Sequence, residues 1–434
     1  MEHILEKAKK AADEAEVFEV SSEETQVRFE ANRLKQLQTK QQTSVALRII
    51  KQGKTGYATS TEIGDGTELV NNAVETAGFG TTAAFKLPEL TEYPVVDIFD
   101  DAVNSVSIRE MVGLGEEMIA AITGHTPKII CEGAVSRGVI TVSIINSRGG
   151  QAAYRKSFFG MDIEGSLIED TDMLFVGESD SSCHPLSDTS TVTAEVLRQL
   201  DLAKNRATAP SKQMSVVFTP NGIASGLMLP LMSAFNGKTV LEGASPIGNK
   251  QGQSVFDKQF NLYDDPTIGY RPGSRPCDDE GVSSQRTTLV REGVVSDFLY
   301  DLQTAALAGK QSTGNGSRSR GGLPSPSASA FIITPGNTAF DDMIKDIKEG
   351  LLVDYLMGAS QGNVLGGDFS GNVLLGFKIE NGEIVGRVKD TMVSGNIYKV
   401  LKDITAIGSE ARWVGSSLLT PPIYLPGIAV ASQG

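Results

Sequence analysis

Four places in this chain of 434 residues carry side chains that could do chemistry. The first is the acidic run Asp278-Asp279-Glu280, followed by Gly281. Two carboxyls can share acid and base roles when they face each other across a cleft, and adjacency in sequence does not by itself put them there. The second is the loop Ser312-Thr-Gly-Asn-Gly-Ser-Arg-Ser-Arg-Gly-Gly322, whose backbone N–H groups, with Arg318 and Arg320, could present donors to an anion. A flexible loop on the substrate side is the plainer reading of the same residues. The third is the set of histidines, His3, His125 and His184. Zinc needs three or four converging ligands, commonly two histidines about one helical turn apart, and none of these has a histidine partner within helical reach. Cys183-His184 is suggestive, but adjacent side chains on a strand point to opposite faces, so a surface loop is the expected setting. The fourth is Gly243-Ala-Ser-Pro-Ile-Gly248-Asn-Lys250, which misses a P-loop by one inserted residue and lacks the Ser or Thr after the lysine.

Nucleophilic catalysis is poorly served. A Ser–His–Asp triad would need one of the three histidines, and only Cys183 has a histidine beside it in sequence. The net charge of −14, from 53 acidic and 39 basic residues, opposes general polyanion binding, so no direct nucleic-acid contact is expected. Three widely spaced cysteines, Cys131, Cys183 and Cys277, give neither a disulfide framework nor a zinc ribbon. With no apolar leader at Met1–Lys7 and no apolar run of about 18 residues, a cytoplasmic protein with no membrane attachment is expected.

The elements that must position these residues read as an α+β fold in three parts. Residues 1–82 form a small N-terminal α+β domain: a helix over 2–15, strands over Val17–Ser21, Thr25–Ala31, Leu34–Lys40 and Thr43–Lys51, and a helix over Gly66–Ala77. Residues 83–105 read as a linker. Residues 106–210 form a central α+β domain with a helix at Ser107–Thr123, strands at Pro127–Glu132, Val135–Asn146, Gln151–Gly165 and Asp170–Ser179, and a helix at Thr191–Arg206. The two units share an order of elements, with no residue-level repeat. Residues 211–434 form a larger, glycine-rich, mainly antiparallel β domain with a few helices, one of them at Asn221–Phe235. Its strands are expected at Ser215–Phe218, Arg286–Arg291, Gly293–Asp301, Ala328–Thr334, Asn363–Ser370, Val373–Glu380 and Glu383–Lys389, the last two joined by a tight Asn381-Gly382 turn.

The run Gly371-Asn-Val-Leu-Leu-Gly-Phe-Lys-Ile-Glu-Asn-Gly-Glu-Ile384, continued by Gly386-Arg-Val-Lys-Asp-Thr-Met-Val-Ser-Gly-Asn396, resembles the C-terminal region of the TldD/PmbA (TldE) family of peptidases, also described as modulators of DNA gyrase. The resemblance covers essentially the whole chain and is most specific in Cys277–Gly281, Ser312–Gly316, Gly350–Ser370 and Leu374–Asp403. Gly350–Gly358 and Gly366–Gly371 look closer to the PmbA/TldE arm. TldD-type chains carry a zinc-binding HExxxH helix shortly before a Ser-Val-Phe segment, which here is Ser254-Val255-Phe256. Counting back, Pro230, Leu231 and Phe235 occupy the His, Glu and His places, and no cysteine follows Cys277 to serve as the C-terminal ligand. None of those three side chains can bind zinc, and Pro230 should kink that helix or mark its true start.

The resemblance therefore implies a chain with no catalytic residue, metal or cofactor of its own. It implies a non-catalytic PmbA/TldE-type subunit that pairs with a TldD-type zinc subunit, the heterodimer digesting unfolded peptides and processing peptide precursors. It also makes Asp279, Glu280, Asn315, Arg318 and Arg320 candidates for the wall of a shared internal channel. Nothing in the residues supports a tie to gyrase. Two other readings stand beside this one: a homodimer that binds peptides or a small ligand without hydrolysis, and a hydrolase working through Asp278–Glu280.

Overall fold

The structure, a computed structural model, describes residues 1–62, 64–170, 172–318 and 322–433. Six strands, five of them long, come first: β1 (Glu14–Glu30), β2 (Arg33–Lys51), β3 (Lys54–Ser60), β4 (Ile130–Asn146), β5 (Gln151–Glu169) and β6 (Asp172–Ser182). The expected eight shorter strands are fewer and longer. The polar stretch Ser21–Glu24 does not break β1, and Gly133 does not break β4. The alternation of faces continues through both, because at mid-strand no helix covers the sheet and polar side chains can meet water from either face. Lys54–Ser60 is a strand that its short length and mixed polarity concealed.

These strands form one antiparallel sheet in the order β3-β2-β1-β4-β5-β6, which is symmetric about the β1–β4 pair. Helices α1 (Glu2–Ala11) and α2 (Thr67–Ala77) flank one set of three strands. After the short α3 (Ala102–Ser105), α4 (Ile108–His125) and α5 (Ser190–Leu202) flank the other. The N-terminal and central units expected from the sequence thus share a single sheet, each contributing a helix, three strands and a helix. All four long helices lie on the same face. Ile4, Leu69 and Ala73 bury Val17, Leu47 and Ile49 at one end, and Met111, Met118, Val192 and Val196 bury Phe29, Val135 and Met161 at the other. Turns at Ala31-Asn32 and Gln52-Gly53 have positive φ at both central residues, the geometry that matches strand twist in a two-residue hairpin. The N-terminus of α4 is set by a capping box between Ser107 and Glu110.

The C-terminal part has two mixed sheets. One contains β7 (Arg206–Ala207), β8 (Gln213–Phe218), β9 (Glu349–Met357), β10 (Asp368–Glu380), β11 (Glu383–Val388), β12 (Thr391–Asn396) and β13 (Ile423–Ser432). Its order is β9-β8-β13-β12-β10-β11-β7, and β10 also pairs with β9, closing five strands into a ring. The second sheet contains Leu262–Asp264, Thr287–Arg291, Phe331–Ile333 and Leu418–Thr420. The expected strand over Gly293–Asp301 is realised only at Val294–Val295. Asp301 instead caps a helix at Leu302–Leu307 by accepting from Thr304 N at 2.7 Å. The helix expected over Asn221–Phe235 is split into α6 (Pro220–Gly226) and α7 (Met228–Phe235). Pro230 lies in the first turn of α7, where no backbone donor is needed, so it marks the true start of that helix.

Asn381 and Gly382 have φ of 50° and 83°, and Glu380 pairs with Glu383 across them, as a two-residue hairpin requires. A Cβ on Gly382 would lie 2.4 Å from the Lys345 carbonyl oxygen. Gly382→Ala is expected to destabilise the protein by roughly 1–3 kcal/mol, combining the left-handed penalty with that clash. Urea unfolding checks it, and an unchanged midpoint would contradict the packing of this turn.

Candidate functional site

The face of the long sheet opposite the helices begins, at the end where β1 starts, under the C-terminal part. Here Glu16 on β1 lies directly across from Arg48 on β2, and both are buried. A charge in the middle of the apolar run Val45–Ile50 needs partners, and it has two. Arg48 donates to Glu16 at 3.0 Å and to Glu280 at 2.5 Å. Arg318 reaches the other oxygen of Glu16, donates through Nε to the Asp279 carbonyl at 3.1 Å, and gives its backbone N–H to Asp279 Oδ2 at 2.7 Å. Glu280 also accepts from Leu302 N at 2.7 Å. Residues far apart in sequence thereby bolt the long sheet to the C-terminal part. Phe85 and Phe18 stack against the two guanidinium groups and keep water out.

Behind this bolt lie two further buried carboxyls. Asp278 accepts from the backbone N–H groups of Glu280, Val282 and Gly316 at 2.8–2.9 Å. Burial first, and then the neighbouring Glu280 charge, push its pKa upward. Gly316 is required there, because a Cβ would come within 2.6 Å of Glu280 and 3.0 Å of Asp278. Asp264 accepts from Asn315 Nδ2 at 2.7 Å and from the N–H groups of Ser329 and Ala330 at 2.7 and 2.9 Å. Burial raises it to about 6 in spite of those bonds.

Beside the bolt a cavity of about 1440 Å³ opens between the sheet and the loops of the C-terminal part. Its sheet side carries Phe18, Ser22, Gln42, Tyr154 and Lys156, and its loop side carries Arg275, Asp279, Arg318 and Ser329. Of the five candidates from the acidic run and the arginine loop, Asp279 and Arg318 lie on this wall. Glu280 sits behind it in the bolt, and Asn315 further back holds Asp264. Arg320 lies outside the described residues. Tyr154, Lys156 and Arg275 were not singled out from sequence. The signal available for the first two was a Tyr and a Lys on alternate positions of β5, both inward-facing.

Pro230, Leu231 and Phe235 are buried in the apolar core, Phe235 against Phe256 and Phe298. The histidines are dispersed: His125 pairs with Asp201, and His184 pairs with Asp100 while stacking on Tyr270. Burial pushes the thiols of Cys131 and Cys183 up to about 11 and that of Cys277 to about 12, which makes them poor ligands and nucleophiles. Among the described residues no three His, Cys, Asp or Glu side chains are grouped so as to hold a metal ion. The donor set present here does not fit zinc. No helix among them is long and apolar enough to cross a membrane.

Residues 211–432 match the PmbA/TldA metallopeptidase C-terminal domain, and residues 15–79 match domain 1 of the same family. The chain belongs to the PmbA/TldD metallopeptidase family. An uncharacterized protein of Methanocaldococcus jannaschii is 27% identical over 98% of this chain and 99% of its own length. The metalloprotease PmbA homolog of Haemophilus influenzae is 25% identical over 81% of this chain and 74% of its own. Against archaeal metalloproteases with 30–34% identity, the chain spans only about half of their length. In fold, TldE from Thermococcus kodakarensis superposes with a TM-score of 0.90 at 23% identity, covering 100% of both chains. The family resemblance and the α+β architecture with a large β-rich C-terminal part are thus as the sequence implied.

Raised carboxyl pKa values have a consequence for stability. The folded chain holds the Asp264 proton more tightly than the unfolded chain, so its contribution is fully present below about pH 4. It is lost as the pH rises through about 6. The slope for one such group is at most about 1.4 kcal/mol per pH unit. Asp264→Asn should therefore gain on the wild type as pH rises from 4 to 6.5 in urea unfolding. Parallel curves for the two proteins would contradict it.

Proposed function

We propose that this chain is a non-catalytic PmbA/TldE-type subunit that walls a peptide chamber and works with a zinc-bearing TldD-type partner on unfolded peptides. One observation carries the reading: the positions where a zinc-bearing relative would have its ligand helix are Pro230, Leu231 and Phe235, packed in the core. A lone enzyme built on Asp278 and Glu280 is disfavoured, because both carboxyls are fully buried and held by backbone donors or Arg48. They are structural.

The chamber suits an extended chain. Its volume of about 1440 Å³ exceeds the roughly 300–1,000 Å³ of ordinary small-molecule pockets. Short polar side chains such as Ser22, Gln42 and Ser44 line the sheet side and can bond a backbone without choosing among side chains. A partner also has a place to dock. β3 covers β2 only over Val45–Lys51, so among the described residues the outer edge of β2 from Arg33 to Ser44 has no strand beside it, with Leu34 and Leu37 about half exposed. Bare strand edges invite another chain.

The purified chain should hold no stoichiometric zinc, and its mass in solution should rise by one partner chain when a TldD-type protein is added. A stable homodimer that ignores the partner would instead favour a peptide-binding protein without hydrolysis.

A further inference from the structure

The chamber wall contains a lysine that makes no ion pair among the described residues. Lys156 projects from β5 and donates to two carbonyls, Pro272 O at 2.6 Å and Ser274 O at 3.5 Å. No carboxylate lies within ion-pair distance of it among the described residues. Ser274 precedes Arg275, so this bonding holds the ammonium near a second cation; burial first, and then the Arg275 charge, disfavour its charged form, while Asp279 on the same wall favours it from beyond ion-pair distance. Arg275 is itself nine-tenths buried. Among the described residues its only side-chain partner is Asp279, at a loose 3.3 Å, and its Nε has none. Asp279 is already shared with the backbone N–H of Arg318. Ser329 Oγ, buried on the same wall, also has no partner among the described residues. Two buried donors without acceptors are expensive, and beside an ammonium held only by carbonyls they mark a place for an acceptor from outside.

We propose that Lys156 and Arg275 form a carboxylate-binding subsite that anchors the free C-terminus of a peptide lying in the chamber. This rests on the peptide chamber proposed above. The chemistry selects a single carboxylate. A planar guanidinium fork beside an ammonium matches two carboxylate oxygens. Four basic residues on the chamber lining (Lys40, Lys156, Arg275 and Arg318) are balanced by four acidic ones (Glu62, Asp65, Glu68 and Asp279), which disfavours a multiply charged anion. Gly273 packs so tightly on Ser329 O and Ser416 O that a Cβ there would come within 2.3 and 2.9 Å of them, which closes the wall at the loop that holds Lys156 and Arg275. A terminus arriving end-on can stop there.

The test uses the full-length chain and an unstructured peptide that carries an N-terminal dye and no Asp or Glu. Binding is read by fluorescence anisotropy for the free acid, the C-terminal amide, and an amide with one internal Glu. The free acid is expected to bind roughly 10–100-fold more tightly than the amide, the range of one or two charge-assisted hydrogen bonds. Lys156→Met should bring the acid to the level of the amide, and Lys156→Arg should keep most of the preference. Equal binding of acid and amide would overturn the subsite and leave the chamber standing. Tight binding of the Glu-bearing amide would overturn the assignment to a chain end. Absence of binding by all three peptides would overturn the chamber and the subsite together.

Discussion

Replacing Arg48 by alanine is expected to lower the stability of the protein by about 3–5 kcal/mol, the loss found when one member of a buried ion pair is removed. The size follows from what is left behind. Glu16 and Glu280 are both fully buried, and among the described residues Arg48 is the only cation that touches both. Without it, two carboxylates share a dry site with Arg318 alone, and one of them must take up a proton or drag in water. For a chain of 434 residues roughly 1 °C accompanies each kcal/mol, so a fall in Tm of about 3–5 °C is predicted. The effect should be nearly insensitive to salt, because screening acts weakly on buried charges. An exposed pair of similar geometry, Lys7 with Asp65, serves as the control. Lys7→Ala should change stability by less than about 1 kcal/mol. A loss of that small size for Arg48→Ala would show that the sheet and the C-terminal part are not bolted together as described.

Much of the fold was legible in local patterns. The α4 cap at Ser107, the Asn381-Gly382 turn and the helix start at Pro230 rest on backbone rules that act within a few residues. What stayed hidden depended on distant packing. The long strands were cut at Ser21–Glu24 because polarity looks the same in a turn and at an uncovered mid-strand position. β9 lies in a closed ring, and its continuous buried run lacks the alternation that marks a half-exposed strand. The charged bolt left a faint trace, Glu16 and Arg48 each set within an apolar run. Its other half, Glu280 and Arg318, lies more than two hundred residues away, and no pattern within either segment joins them. Lys156 was overlooked for the same reason: its meaning comes from Pro272, Ser274 and Arg275, which only the fold brings near.

The proposed reading predicts partner dependence as the second large effect. Leu231 and Phe235 are 1% and 0% exposed, and they support Leu227 and Phe256 in a continuous apolar core. Water cannot reach them, and they offer no lone pair to a metal, so the chain has no means of activating a hydroxide there. On the proposed reading, hydrolysis comes from the other subunit, with this chain supplying chamber wall and binding surface. Activity should therefore depend on both proteins, while metal should follow the partner alone. Lys156→Met in this chain should weaken turnover of short peptides without changing the zinc content of the complex.

The most direct measurement is hydrolysis of an unstructured dye-quenched peptide by this chain alone, by a TldD-type HExxxH protein alone, and by the mixture, each before and after chelation. The account predicts no cleavage by this chain alone and robust cleavage by the mixture, lost on chelation and restored by zinc. Chelator-sensitive cleavage by this chain alone, with zinc bound to its own residues at one equivalent, would contradict it.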